Sequence, residues 1–112
     1  MKPINMHWLY LVMAIILEVS GTTSMKLSNG FTRLMPSIAM FIFYALSFIF
    51  LTFAIKKIDI GVAYAIWSGL GTACIGVIGI GLFKEPATAI KFISLGLIII
   101  GIVGLNLTGK IH

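Results

Sequence analysis

Glu18 places a carboxylate inside a run of apolar residues that extends from about Trp8 to Met25. At 1.5 Å rise per residue the carboxylate lies about 15 Å along a helix from Trp8. A bilayer hydrocarbon core is about 30 Å thick, so Glu18 is expected near its midplane. An ionisable side chain at that depth is costly and usually marks a site. Such a carboxylate can hold a proton or a cation in turn, which is the chemical basis of exchange.

Small and hydroxyl-bearing residues share the helix face of Glu18. Thr22 and Ala14 lie one turn after and one turn before it, and Gly21 leaves room three residues on. Each could contact a ligand or simply pack against a neighbouring helix.

Aromatic residues follow on two further apolar runs. Tyr44, Ser47 and Phe48 fall on one face of the second run, while Tyr64 and Trp67 stand one turn apart on the third. Aromatic faces attract a desolvated organic cation by about 0.5 to 2 kcal/mol each. Trp67 is too deep in its run for an interfacial anchor, so we expect it to contact substrate.

Other chemistry finds no support in the residue types. Cys74 is the only cysteine, and His7 and His112 form no ligand pattern, so no metal site and no cofactor is expected. No nucleophile and base pair is visible, which argues against an enzyme. The net charge of +5 comes from lysines and arginines that stand singly or in one pair, without the basic stripe that a nucleic-acid partner would need. Asp59 and Glu85 lie in connections and are expected to be solvated.

The composition requires lipid as the solvent of these elements. Hydrophobic residues make up 60% of the 112 and charged residues only 10%, whereas a soluble domain carries about 25% charged residues. We predict a single all-α membrane domain with four spanning helices at about 8–25, 36–55, 60–83 and 87–107. Four helices are too few to enclose a hydrophilic pathway, so transport would need a second copy.

Glycines mark two further features of the predicted helices. Gly69 and Gly71 make a bending point in the third helix. Ser94 and Gly101 share a face of the fourth helix, and Gly104 adds a second position of close approach. This surface is predicted to contact another helix.

The basic residues do not favour either orientation in the membrane. Four lie on each side of the four predicted spans: Lys2, Lys56, Lys57 and Lys110 on one, Lys26, Arg33, Lys84 and Lys91 on the other. Because an excess of Lys and Arg directs orientation, we expect the chain to insert both ways and to form an antiparallel dimer.

Several ordered motifs together resemble one family over essentially the whole chain. They are Glu18-Val19-Ser20-Gly21-Thr22-Thr23, Met25-Lys26, Gly30-Phe31-Thr32-Arg33-Leu34 with Pro36-Ser37, and Gly61-Val62-Ala63-Tyr64-Ala65-Ile66-Trp67-Ser68-Gly69 with Gly71. This pattern resembles the small multidrug resistance family of bacterial inner-membrane transporters.

The resemblance implies a proton-coupled exporter that works as an antiparallel homodimer. Glu18 would be the carboxylate that proton and substrate share, and the fourth helix would be the dimerisation element. The residues that the resemblance assigns to the substrate site are Trp67, Tyr64, Tyr44, Ser47, Phe48, Ala14, Ile15, Gly21 and Thr22.

The substrate class has more than one candidate. Glu-Val-x-Gly-Thr and Trp-Ser-Gly resemble the branch that exports quaternary ammonium and other lipophilic cations, whereas Lys84-Glu85-Pro86 resembles guanidinium exporters. Met35 and Ser94 depart from the drug-exporter pattern. An exporter of guanidinium compounds or polyamines, or a heterodimer with a paralogue, is the alternative. A non-transporting assembly subunit that uses Glu18 only for helix registry is a third possibility.

Overall fold

The protein forms four helices in a computed structural model that describes residues 6–111, with side chains as far as Leu107. The helices are α1 (Met6–Leu27), α2 (Leu34–Ala54), α3 (Ile60–Gly81) and α4 (Ala89–Ile111). Each is long and apolar enough to cross a membrane, and no strand occurs in this part of the chain. The prediction of an all-α membrane fold with four spans is confirmed. Lys2 and His112 lie outside the described residues.

The helix bounds differ from the predicted ones by a few residues. α1 extends two residues further at each end, and α2 begins at Leu34. Pro36 therefore sits in the first turn of α2, where its missing N–H needs no partner within the helix. α4 begins two residues later than predicted and continues to Ile111.

Local hydrogen bonds explain where α1 ends. The Ser28 hydroxyl donates to the Met25 carbonyl at 2.6 Å and accepts from the Phe31 N–H at 3.2 Å. Asn29, Gly30 and Phe31 all adopt positive φ, which Asn and Gly tolerate readily. Together these residues turn the chain tightly into α2.

α1 lies against α2 along its length and also against α3, which in turn carries α4. The buried core belongs to the first three helices and the connection 55–59; its members are Leu11, Ile15, Ala54, Ile58, Val62, Ala63 and Ile66. Within the described side chains, α4 buries none of its residues. α4 is therefore a peripheral helix with most of its surface exposed in a single chain.

Glycines allow α4 to approach α3. A Cβ at Gly69 would lie 3.2 Å from Ile102 and 3.3 Å from Ile98, and one at Gly76 would lie 3.0 Å from Leu95. On the exposed side, a Cβ at Gly101 would meet no atom within 4 Å. The predicted contact surface at Ser94, Gly101 and Gly104 is thus exposed.

Candidate functional site

The Glu18 carboxylate is half-buried near the middle of α1 and has two different oxygen environments. Oε1 accepts a hydrogen bond of 3.1 Å from the Thr22 hydroxyl. Oε2 is buried and receives no hydrogen bond from any described residue. It lies against the backbone of Gly71 on α3, where an added Cβ would be only 2.5 Å away. Gly71 therefore makes the space that this carboxylate occupies.

α2 supports the carboxylate through Thr22. The Tyr44 hydroxyl lies 2.6 Å from the Thr22 hydroxyl. Because the single hydroxyl hydrogen of Thr22 is donated to Glu18, the hydrogen between the two hydroxyls must come from Tyr44, which therefore donates to Thr22. Gly21 admits the tyrosine ring, since a Cβ there would lie 2.8 Å from Cδ1 of Tyr44. Gly21 and Thr22 thus both contact Tyr44, one through its ring and the other through its hydroxyl.

Ser47 joins three helices one turn away. Its side chain is fully buried and donates to the Ala14 carbonyl at 2.6 Å. The same hydroxyl accepts from the Trp67 indole N–H at 3.3 Å. This bond engages the hydrogen-bond donor of the indole, so the N–H of Trp67 is not available to another acceptor in this conformation.

Three aromatic rings form a continuous row beside this bond. The centroids of Phe48 and Trp67 are 5.9 Å apart, and those of Tyr64 and Trp67 are 5.5 Å apart, all in tilted arrangements. Phe48 is 54% exposed and Tyr64 is 58% exposed, so this aromatic row opens outward from a single chain. Lipid or a second protein surface must cover it in a membrane.

The contacts fix a common register for the three helices. Ala14 and Thr22 on α1 pair with Ser47 and Tyr44 on α2 in reverse order, as antiparallel neighbours must. Trp67 and Gly71 are one turn apart on α3 and meet the levels of Ala14 and Glu18. Residues far apart in sequence therefore converge on one band near mid-helix.

Two of the residues predicted to contact substrate have side chains that are buried between helices in this chain. Ile15 belongs to the packed core and is 5% exposed, and the Ala14 side chain is fully buried. In this single chain Ala14 contributes its carbonyl to the site, and Ile15 contributes packing.

α3 is helical without interruption from Ile60 to Gly81. Gly69 contacts α4 and Gly71 contacts Glu18, so both glycines have a packing reason in this conformation. The bend at Gly69 and Gly71 stays a prediction.

One feature near the site did not emerge from the sequence. Glu85 is exposed, but its carboxylate folds back against buried Gly79 of α3. Gly79 follows Gly71 by eight residues, and that spacing places both glycines on one helix face. This spacing is the signal that could have drawn attention to Glu85.

Comparison with known proteins gives consistent matches over most of the chain. A family model described as Small Multidrug Resistance protein matches residues 6–98. The uncharacterized membrane protein YvaE of Bacillus subtilis (strain 168) is 53% identical over 102 residues, which cover 91% of this chain and 86% of that protein.

Two further relatives have names that state a phenotype or an activity. The quaternary ammonium compound-resistance protein QacE of Escherichia coli is 47% identical over 103 residues, covering 92% of this chain and 94% of that protein. The guanidinium exporter of Yersinia pseudotuberculosis serotype I (strain IP32953) is 43% identical over 102 residues, covering 91% of this chain and 98% of that protein.

Proposed function

The chain belongs to the small multidrug resistance family and is a multi-pass protein of the bacterial inner membrane, and on this premise we propose that it exports lipophilic or quaternary ammonium cations in exchange for protons. Glu18 is the site that proton and substrate share. The protein works as a transporter, with protons as the coupling ion and no further cofactor, and not as an enzyme.

The observation that carries this proposal is the uneven environment of the Glu18 carboxylate. One oxygen has a hydroxyl donor, while the other is buried and has no donor among the residues that the structure describes. A charged carboxylate in that state is costly, because burial without full hydrogen bonding disfavours the charge. Adding a proton to Oε2 or bringing a cation beside it relieves the cost, and the two events exclude each other.

The aromatic row favours cations without hydrogen-bond donors. Phe48, Tyr64 and Trp67 present ring faces, and the indole N–H of Trp67 is already engaged by Ser47. A quaternary ammonium ion needs a negative charge and apolar faces but no acceptors. A guanidinium ion brings several N–H donors, for which the site offers the Glu18 carboxylate and otherwise only side-chain hydroxyls such as that of Tyr44.

A second copy of the chain completes the proposed site. The aromatic row and the α4 surface at Ser94, Gly101 and Gly104 are both exposed in one protomer. An antiparallel homodimer buries the α4 surface and places two Glu18 carboxylates in one chamber, consistent with the even distribution of basic residues. Alternating access then follows from an exchange of two protomer shapes.

Export of guanidinium compounds or polyamines is the second candidate, in a homodimer or with a paralogue. It is favoured by the similarity to the Yersinia guanidinium exporter, because its sequence identity to this chain, 43%, is close to the 47% of the quaternary ammonium compound-resistance protein QacE. Both candidates use the same carboxylate, so the substrate itself must discriminate between them.

Proteoliposome transport tests the proposal directly. We expect an outward proton gradient to drive uptake of a radiolabelled quaternary ammonium compound by the wild-type protein and not by Glu18→Gln. Asp59→Asn, which neutralises a carboxylate at the α2–α3 connection, serves as the matched control and should transport normally. Coupled movement of guanidinium alone would refute the substrate class, and the absence of any substrate-linked proton movement would favour the non-transporting subunit.

A further inference from the structure

A cavity of about 460 Å³ opens between the carboxyl ends of α1 and α3. We call it the end cavity; its inner wall includes Thr22, and its outer wall includes Lys26, Phe31, Phe83 and Glu85. Its volume lies within the range of about 300 to 1,000 Å³ that is usual for small-molecule sites. Because Thr22 also donates to Glu18, the end cavity reaches the edge of the proposed transport site.

The two carboxylates lie against one face of α3 in the same way. Glu18 contacts Gly71, and Glu85 contacts Gly79, with Ile75 of the cavity wall midway between the two glycines. Eight residues of helix separate the two contacts by about 12 Å. A side chain at either glycine would displace the carboxylate that lies against it, so each glycine leaves the space that one carboxylate occupies. We call this space the seat of the carboxylate.

The connection after α3 holds Glu85 in this seat. The Glu85 N–H donates to the Gly79 carbonyl at 3.0 Å, and Lys84 adopts a positive φ of 56° that turns the chain back. The ammonium group of Lys91 donates to the Pro86 carbonyl at 2.7 Å, so this nearby cation is engaged by the backbone rather than by Glu85. Thus the backbone directs the side chain of Glu85, which is exposed overall, toward Gly79 and the end cavity.

Helix dipoles make the end cavity a place for positive charge. α1 and α3 both end there, and the carboxyl end of a helix carries about half a negative charge. A carboxylate beside such an end is unfavourable on its own and becomes favourable when a cation accompanies it. Among the side chains that the structure describes, α2 and α4 contribute none to the cavity wall.

We propose that the end cavity is a second cation-binding station, in which Glu85 holds the charged head of an organic cation before it reaches Glu18. Phe31 and Phe83 supply apolar contact for the body of the cation. Lys26 acts as the resident positive charge that an incoming cation must outcompete. This inference rests on the proposed export function and adds a station that Glu18 alone does not provide.

The Glu18→Gln background isolates this station, and benzyltrimethylammonium is a suitable probe. Calorimetric titration of the purified Glu18→Gln protein should show weak, saturable binding. Adding Glu85→Gln should weaken that binding roughly fivefold, the factor for one partly exposed ion pair. Gly79→Ala should do the same, because its Cβ would occupy the seat of the carboxylate. Asp59→Asn should leave the binding unchanged.

Lys26→Gln provides a measurement of opposite sign that misfolding would not imitate, because removing the competing charge should tighten the weak binding. Absence of binding in the Glu18→Gln protein, or binding unaffected by both Glu85→Gln and Gly79→Ala, would overturn the second station and leave the proposed function standing. Binding in the Glu18→Gln protein as tight as in the wild type would instead refute the role of Glu18.

Discussion

Gly71→Ala is expected to disable the Glu18 site while leaving the protomer folded. The new Cβ would lie 2.5 Å from Oε2, whereas ordinary van der Waals contact begins at 3.4 Å. The carboxylate must therefore retreat by about 1 Å, and a displacement of that size at a reacting group can cost about 100-fold in rate. Overpacking costs about 1 to 3 kcal/mol of folding free energy, which the gain of about 1 kcal/mol in helix propensity partly offsets.

Gly61→Ala is the matched control on the same helix. A Cβ at Gly61 meets no atom within 4 Å, so this change should keep transport and raise stability slightly. The measurements are proton-driven uptake in proteoliposomes, calorimetric substrate affinity and the melting temperature in detergent. Gly71→Ala should lose roughly tenfold or more in uptake, and substrate affinity should fall with it because the carboxylate itself has moved.

Rescue by a shorter carboxylate separates contact from general damage. Glu18→Asp withdraws the carboxylate by one methylene, so Gly71→Ala should be much less harmful in that background than in the wild type. Equal uptake by Gly71→Ala and Gly61→Ala would show that Gly71 does not seat the carboxylate. A loss that Glu18→Asp leaves unchanged would point to a packing or bending role instead.

Three further changes test the network around this site. Thr22→Val removes the hydroxyl that donates to the charged carboxylate of Glu18. Protons should then compete better with the cation, and the pH of half-maximal cation binding should rise by about one unit. Thr23→Val, which loses only a hydrogen bond within α1, should not shift this pH. Ser47→Ala leaves the indole N–H of Trp67 without its partner. It should lower the free energy of unfolding by about 1 to 3 kcal/mol and also weaken substrate binding. Ser68→Ala, whose hydroxyl bonds only within α3, should change neither quantity. Gly101→Leu faces open space in the protomer and should leave its helix content unchanged while shifting the dimer to monomer in detergent, as measured by light scattering; an intact dimer would contradict the proposed α4 contact.

Local features of the sequence predicted the helices and the main residues of the site. Four apolar runs broken by short polar connections can form only spanning helices in lipid, because each backbone group must bond within its own segment. The depth of Glu18 follows from counting residues along one helix. The one-turn spacings of Tyr44 with Ser47 and of Tyr64 with Trp67 likewise required only helical geometry.

Other assignments depended on which way each helix faces. Ile15 stands three residues before Glu18 and could have shared its site, but the structure packs it in the core. Gly71 was predicted as part of a bending point, and the structure also makes it the neighbour of the Glu18 carboxylate. Glu85 was expected to be solvated with the rest of its connection, and it is exposed, but the structure also places its carboxylate against Gly79.

The sequence by itself determined the membrane class, the number of spans and the position of a carboxylate near the middle of the first span, because hydropathy, charge and helical rise act within one segment. Only the tertiary structure decided that one oxygen of Glu18 has no donor among the described residues, that Ser47 joins three helices and that a second carboxylate lies against the same side of α3. Those facts depend on the rotation and register of each helix against its neighbours. Packing between whole surfaces sets that register.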